Sequence, residues 1–175
     1  MLKTNKVIFI GGIHGVGKST FAKAVKEECP SVEELSCSTI LKWENPAHKE
    51  VVNVGENQNK LMANLPHFIE ADKSYLLDGH FCLLTEKHAI ERVPIEVFQT
   101  INPVMILLLE AEPKEIVRRL SLRDSKAYSE AVISEFIDAE RLYAEEVAKA
   151  LGIPLKICNP ANWNSVVDEV SSYLQ

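Results

Sequence analysis

Between Gly12 and Ser19 the chain reads GIHGVGKS, a fit to GxxxxGK[ST], directly after the apolar run Val7 to Ile10 and directly before an amphipathic segment. That setting constrains the fold more than the letters do. Three of the four apolar residues are β-branched, the pattern of a strand buried on both faces. Beyond Gly17, Phe21, Val25 and Cys29 fall four apart on one helical face until Pro30 stops the helix. Glycines at 12, 15 and 17 let the backbone curl so that successive N–H groups face one anion, and the helix that follows adds the positive end of its dipole. The binding residues of such a phosphate cradle are Gly12, His14, Gly15, Val16, Gly17, Lys18, Ser19 and Thr20. Lys18 is expected to reach the β- and γ-phosphates of ATP, and Ser19 to ligate Mg2+. His14 is expected to offer its backbone N–H rather than to act as a base.

The rest of the chain alternates between strand and helix patterns. Val32 to Ser36, Tyr75 to Leu77, Val104 to Leu109 and Leu155 to Cys158 read as strands. Pro113 suits the first turn of a helix to about Leu122, and Ser129 caps another to about Leu151, with Val132, Phe136, Ala139, Tyr143 and Val147 on one face. Trp163 to Leu174 closes the chain as a helix. This alternation predicts a three-layer α/β domain with a mostly parallel sheet. At 175 residues and 46% hydrophobic, the chain is expected to form one domain over residues 1–175. The pattern is poorest from Ser38 to Pro66, which predicts an excursion from the core, with a helix around Glu56 to Ile69 divided at Pro66.

A net charge of −6 argues against a surface that neutralises nucleic-acid phosphates. No stretch approaches the roughly 18 apolar residues of a membrane span. Cys29, Cys37, Cys82 and Cys158 lack the close pairs of metal or redox sites and read as reduced thiols of a cytoplasmic protein. A magnesium partner for Ser19 is expected from an acid at a strand end, and Asp78 in YLLDGH is the candidate. Arg119 and Arg123 lie four apart, on one face of the helix they share.

Three further segments carry a resemblance. LLDGHF, then VPIEVFQTINPVMILLLEAEPKEIVRRL, then DAERLYAEEVAKALGIPLKI are similar to stretches of the nucleoside monophosphate kinases, most closely the archaeal-type adenylate kinases. The resemblance covers most of the chain and is weakest from Ser38 to Ser74. It implies a P-loop fold with a five-stranded parallel sheet, a short lid near residues 119–128 and a mobile acceptor-binding segment over residues 38–72. It gives Gly12 to Thr20 to ATP, Asp78 to magnesium, and Arg119, Arg123 and Arg141 to phosphates. The chain departs from the family in having no arginine between Met1 and Ile90, where adenylate kinases hold the acceptor phosphate. Lys42, Lys60 and Arg92 are the substitutes on offer, with Trp43 beside Lys42 able to share an anionic ligand and His80 to hydrogen-bond an acceptor.

Three functions compete on this basis. One is an ATP- and Mg-dependent kinase of nucleoside monophosphates, with Lys18, Arg119 and Arg123 as its catalytic residues. Another is a kinase of a small metabolite, with an acid or His80 taking a hydroxyl proton. The third is an ATP-dependent switch with slow hydrolysis that orders residues 38–66 for a protein partner.

Overall fold

The computed structural model describes residues 5–42, 54–85 and 89–175. Five parallel strands form the central sheet: β1 (Lys6–Gly11), β2 (Glu33–Ser36), β3 (Ser74–Asp78), β6 (Met105–Leu109) and β7 (Leu155–Cys158), in the spatial order β2-β3-β1-β6-β7. β1 lies in the middle because Val7 to Gly11 are buried without exception, so both faces need cover. Helices α1 (Lys18–Glu28), α4 (Ile95–Ile101), α5 (Pro113–Asp124), α6 (Glu130–Leu151) and α7 (Trp163–Leu174) supply that cover. The expected α/β class and parallel five-stranded sheet are both present. Register pairs Ile10 with Asp78 and Gly11 with Leu108, so the carboxyl ends of β1, β3 and β6 come level. Ligands of open α/β sheets bind along that edge.

Beneath it, Phe9, Phe81 and Phe98 pack with ring centroids 4.9 to 5.3 Å apart. Two of these contacts are edge-on and one is stacked, geometries that aromatic quadrupoles favour. Ser129 caps α6 as expected, its hydroxyl accepting from the Val132 N–H, and Gly152 ends the helix in the left-handed region at φ 67°.

The excursion contains α2 (Cys37–Lys42) and α3 (Val54–Asn64), followed by a 3-10 turn at Leu65–His67 that holds Pro66. The predicted helix therefore stops two residues before its proline, as the missing N–H requires. Between β3 and α4 the chain forms an antiparallel pair, β4 (Cys82–Leu84) with β5 (Ile90–Arg92), which sequence reading left unassigned. Each strand has three residues, too short for alternation to register. Over the expected lid, α5 runs on to Asp124, Ser125 turns the chain at φ 50°, and residues 126–129 lead into α6.

Candidate active site

β1 delivers the glycine loop to the sheet edge. At Gly12, with φ 140°, a Cβ would stand 2.9 Å from both the Leu109 carbonyl oxygen and a Val16 methyl, so only glycine fits there. Gly17, at φ 109°, caps α1 and points the free N–H groups of its first turn into a cavity of about 840 Å³. The cavity is lined by the loop from His14 to Thr20, by Asp78 at the end of β3 and His80 just beyond it, and by Arg119 and Arg123 of α5. Sequence-predicted loop residues, metal ligands and lid arginines thus meet in one place.

Lys18 is buried, with Nζ 2.7 Å from the Gly12 carbonyl oxygen and 3.3 Å from that of Ile13. It also lies 3.8 Å from Asp78. Burial lowers the lysine from its usual value, against the pull of Asp78, Glu140 and Cys37. Burial raises Asp78, and Lys18 opposes that shift. The two shifts show a pair held partly out of water, with 28% of the Asp78 side chain still exposed toward the cavity.

His80 Nδ1 is 2.9 Å from the Gly12 carbonyl oxygen. A carbonyl only accepts, so Nδ1 carries the proton and Nε2 keeps its lone pair. Burial first, then Lys18 and His14, push this imidazole down to about 3. The His14 and His80 rings stand 4.3 Å apart. Desolvation, Lys18 and Arg123 lower His14 as well, so the pair is held neutral.

The two arginines differ. Arg119 donates to the Gly15 and Val16 carbonyls at 3.1 and 3.3 Å, and to Glu115 at 2.7 Å, bracing the loop from outside. Arg123 stands at the cavity rim and donates to both oxygens of Asp124; Tyr128 donates its hydroxyl to the same carboxylate.

Other expected site residues lie away from this cavity. Arg141, assigned to phosphates, forms a two-pronged pair with Glu110 and does not line the cavity. Glu110 sits just past β6, and its side chain is only 13% exposed, so it requires that cation. Arg92 pairs with both oxygens of Glu146 and lies 4.5 Å over the Tyr143 ring, because the β4–β5 pair turns it toward α6. Lys42 is exposed at the end of α2, Lys60 lies on α3, and neither lines the cavity. Trp43 falls outside the described residues.

Two site residues were missed. Glu140, 1% exposed, accepts hydrogen bonds from the backbone N–H groups of Gly12, Phe81 and Cys82 at 3.1, 3.0 and 2.6 Å. It ties α6 to both the glycine loop and the turn after Asp78. Its signal was available: it stands on the apolar face of α6, between Phe136 and Tyr143. Trp163 forms the far wall with Pro160 and Asn164, held edge-on by Phe21 at 5.1 Å. Its place just after the last strand, at the ligand-binding edge, was the available signal.

A family described as the AAA domain matches residues 11–135. The adenylate kinase of Pyrococcus abyssi is 30% identical over 131 residues, covering 69% of this chain and 66% of that protein, just under two thirds of its length. The adenylate kinase of Saccharolobus solfataricus is 29% identical over 174 residues, covering 87% and 89%. Among solved structures, a gluconokinase from Sinorhizobium meliloti 1021 superposes with TM-score 0.58 at 12% identity, over 97% of this chain and 91% of that one. A sugar kinase from Janibacter sp. HTCC2649 gives 0.56 at 14%, over 97% and 94%. Those two likenesses concern the fold. With its glycine loop and cation-lined cavity, the chain belongs to the AAA domain family and is similar to archaeal adenylate kinases.

Proposed function

We propose that this chain transfers the γ-phosphoryl group of ATP, with magnesium, to a small anionic acceptor of the nucleoside monophosphate class. The observation that carries the reading is the meeting of Lys18, Arg119 and Arg123 on one cavity whose floor is the glycine loop and whose edge holds Ser19 and Asp78. In the reaction an acceptor phosphate oxygen attacks the γ-phosphorus, the bond to the β,γ-bridging oxygen breaks, and ADP departs with that electron pair. The acceptor becomes a diphosphate. Its attacking oxygen is already ionised, so no general base is required.

Charge spreads over the three equatorial oxygens of the transferring group, and preorganised cations offset it. Lys18 and Arg123 are the groups we assign to that, while Arg119 holds the loop carbonyls at the cavity wall. Ser19 and Asp78 suit magnesium, an ion that takes one or two protein oxygens and completes its shell with phosphates and water. Bound there, it would neutralise charge on the β- and γ-oxygens. Trp163 is the wall for the base of ATP. The described cysteines are unpaired thiols, in keeping with a cytoplasmic setting, and no described helix is long and apolar enough to cross a membrane.

The test is ADP release from Mg-ATP with each nucleoside monophosphate added singly, against a no-acceptor control and Lys18→Ala. Strong stimulation by one monophosphate supports the reading. Stimulation only by a sugar or sugar acid moves the acceptor to the metabolite class, and slow Lys18-dependent hydrolysis alone points to a switch.

A further inference from the structure

One buried oxygen joins the two segments on which Ser19 and Asp78 stand. Glu140 Oε1 accepts from the Gly12 N–H at 3.1 Å and from the Phe81 N–H at 3.0 Å, while Oε2 accepts from the Cys82 N–H at 2.6 Å. Gly12 begins the loop that leads to Ser19, and Phe81 lies three residues beyond Asp78. The parallel ladder of β1 and β3 ends at the pair Ile10 and Asp78, with the Gly79 N–H donating to the Ile10 carbonyl just past it. Beyond that point the two segments are held by His80, which donates to the Gly12 carbonyl, and by the shared Glu140 carboxylate.

We infer that Glu140 is a positioning residue for the magnesium side of the site: by taking Gly12 and Phe81 on one oxygen it sets the span between Ser19 and Asp78. The inference rests on the phosphotransferase reading above, with Ser19 and Asp78 as magnesium ligands, and adds the residue that fixes their separation.

Glu140 is 1% exposed, and a charge taken so far out of water is costly unless it is fully hydrogen-bonded. Its three partners are all donors, which favours the ionised form. Only a carboxylate of this shape presents two accepting oxygens; an amide presents one and turns a donor toward the third N–H. The helix that carries it is stiff enough to act as a reference. α6 runs for 22 residues, capped by Ser129 at one end and Gly152 at the other, and the Tyr143 hydroxyl fastens it to the Val93 carbonyl at 2.7 Å. Phosphate and metal respond differently to a loosened pin. The N–H groups that face a phosphate belong to one continuous loop and the first turn of α1, so they keep their mutual spacing when that loop shifts as a body. Ser19 and Asp78 belong to different segments, and magnesium demands near-ideal octahedral geometry at about 2.0–2.1 Å, so a small error in their separation is enough to lose one of them.

The experiment measures binding of a non-hydrolysable ATP analogue by calorimetry, with Mg2+ and with EDTA, and the Mg2+ dependence of turnover, in wild type, Glu140→Gln, Glu140→Asp and Tyr143→Phe. The expected result is that Glu140→Gln binds the analogue in EDTA within about twofold of wild type, loses affinity by about tenfold or more when Mg2+ is present, and needs about tenfold more Mg2+ for half-maximal turnover. Glu140→Asp keeps the charge and shortens the reach by one carbon, so it should shift the Mg2+ dependence in the same direction, and it carries the test if the amide variant does not fold. Tyr143→Phe is the control, losing a buried hydrogen bond of the same helix without touching the three N–H groups; its melt should fall while both binding constants stay. A Glu140 variant that melts early but keeps the wild-type Mg2+ dependence overturns the inference and leaves the residue a purely structural one. Equal losses with Mg2+ and with EDTA overturn it as well, because Glu140 then shapes the phosphate cradle rather than the span. Mg2+ that adds nothing to analogue binding in wild type removes the Ser19 and Asp78 reading itself, and the inference with it. The calorimetric arm needs no acceptor, so its outcome is separate from the choice of acceptor class.

Discussion

Lys18 donates to two carbonyls of its own loop, Gly12 and Ile13, and faces Asp78 at 3.8 Å without closing a full hydrogen bond. A lysine in that position is stabilised by the loop and available to phosphates, so removing it acts on transfer far more than on folding. Lys18→Ala is expected to lower kcat by about 100-fold or more while a thermal melt stays close to wild type. A normal kcat in a normally folded variant would sink the site. Glu140 is the opposite case, a residue that meets no substrate and holds those that do. In Glu140→Gln one oxygen can still accept from Gly12 and Phe81, but the amide nitrogen then faces the Cys82 N–H, a donor against a donor. Leaving that buried N–H unpaired costs about 1–3 kcal/mol, to be read as a lowered urea midpoint with an unchanged m-value. Equal stability of variant and wild type would mean that the three N–H groups find other acceptors. Residue-scale reading of the sequence located the loop because backbone geometry demands glycine there. It passed over Glu140 because an acid among helix acids looks solvated until the chain folds against it.

α5 connects chemistry to scaffold through one acid. Arg118 and Arg119 beside Glu115 hold its carboxyl down to about 2, and Arg119 in turn grips the Gly15 and Val16 carbonyls. A carboxyl depressed in the folded state stabilises that state above its unfolded value near 4.5, and the contribution disappears as pH falls through the folded value. Melting temperatures of wild type and Glu115→Gln should therefore differ above pH 4.5 and converge toward pH 2. The difference should be small, because the pair is exposed to water. A gap that persists at pH 2 would assign the effect to packing instead. Periodicity was a good guide to elements of this length: α1, α5, α6 and α7 lie where apolar spacing, Pro113 and Ser129 placed them. It gave nothing for β4 and β5, whose three residues each are fixed by pairing with one another and by their cover from α6 rather than by local pattern.

At the scale of the molecule, alternation of strands and helices was enough to imply the parallel sheet, since each buried strand needs helices on both faces. What alternation could not reveal is which cations the fold neutralises. Arg141 meets Glu110 and Arg92 meets Glu146 across 31 and 54 residues of chain, and neither lines the cavity that Lys18, Arg119 and Arg123 line. A site built from separate elements in this way should be stabilised as a whole by its ligand. A non-hydrolysable ATP analogue with magnesium, at about 100 times its Kd, adds about 2.7 kcal/mol to the folded state. For a chain of this size that corresponds to a rise in Tm of roughly 5–11 °C. On the proposed function Lys18→Ala should lose most of the rise, because the lysine would meet the phosphates. A wild-type Tm indifferent to the analogue would remove nucleotide from the cavity.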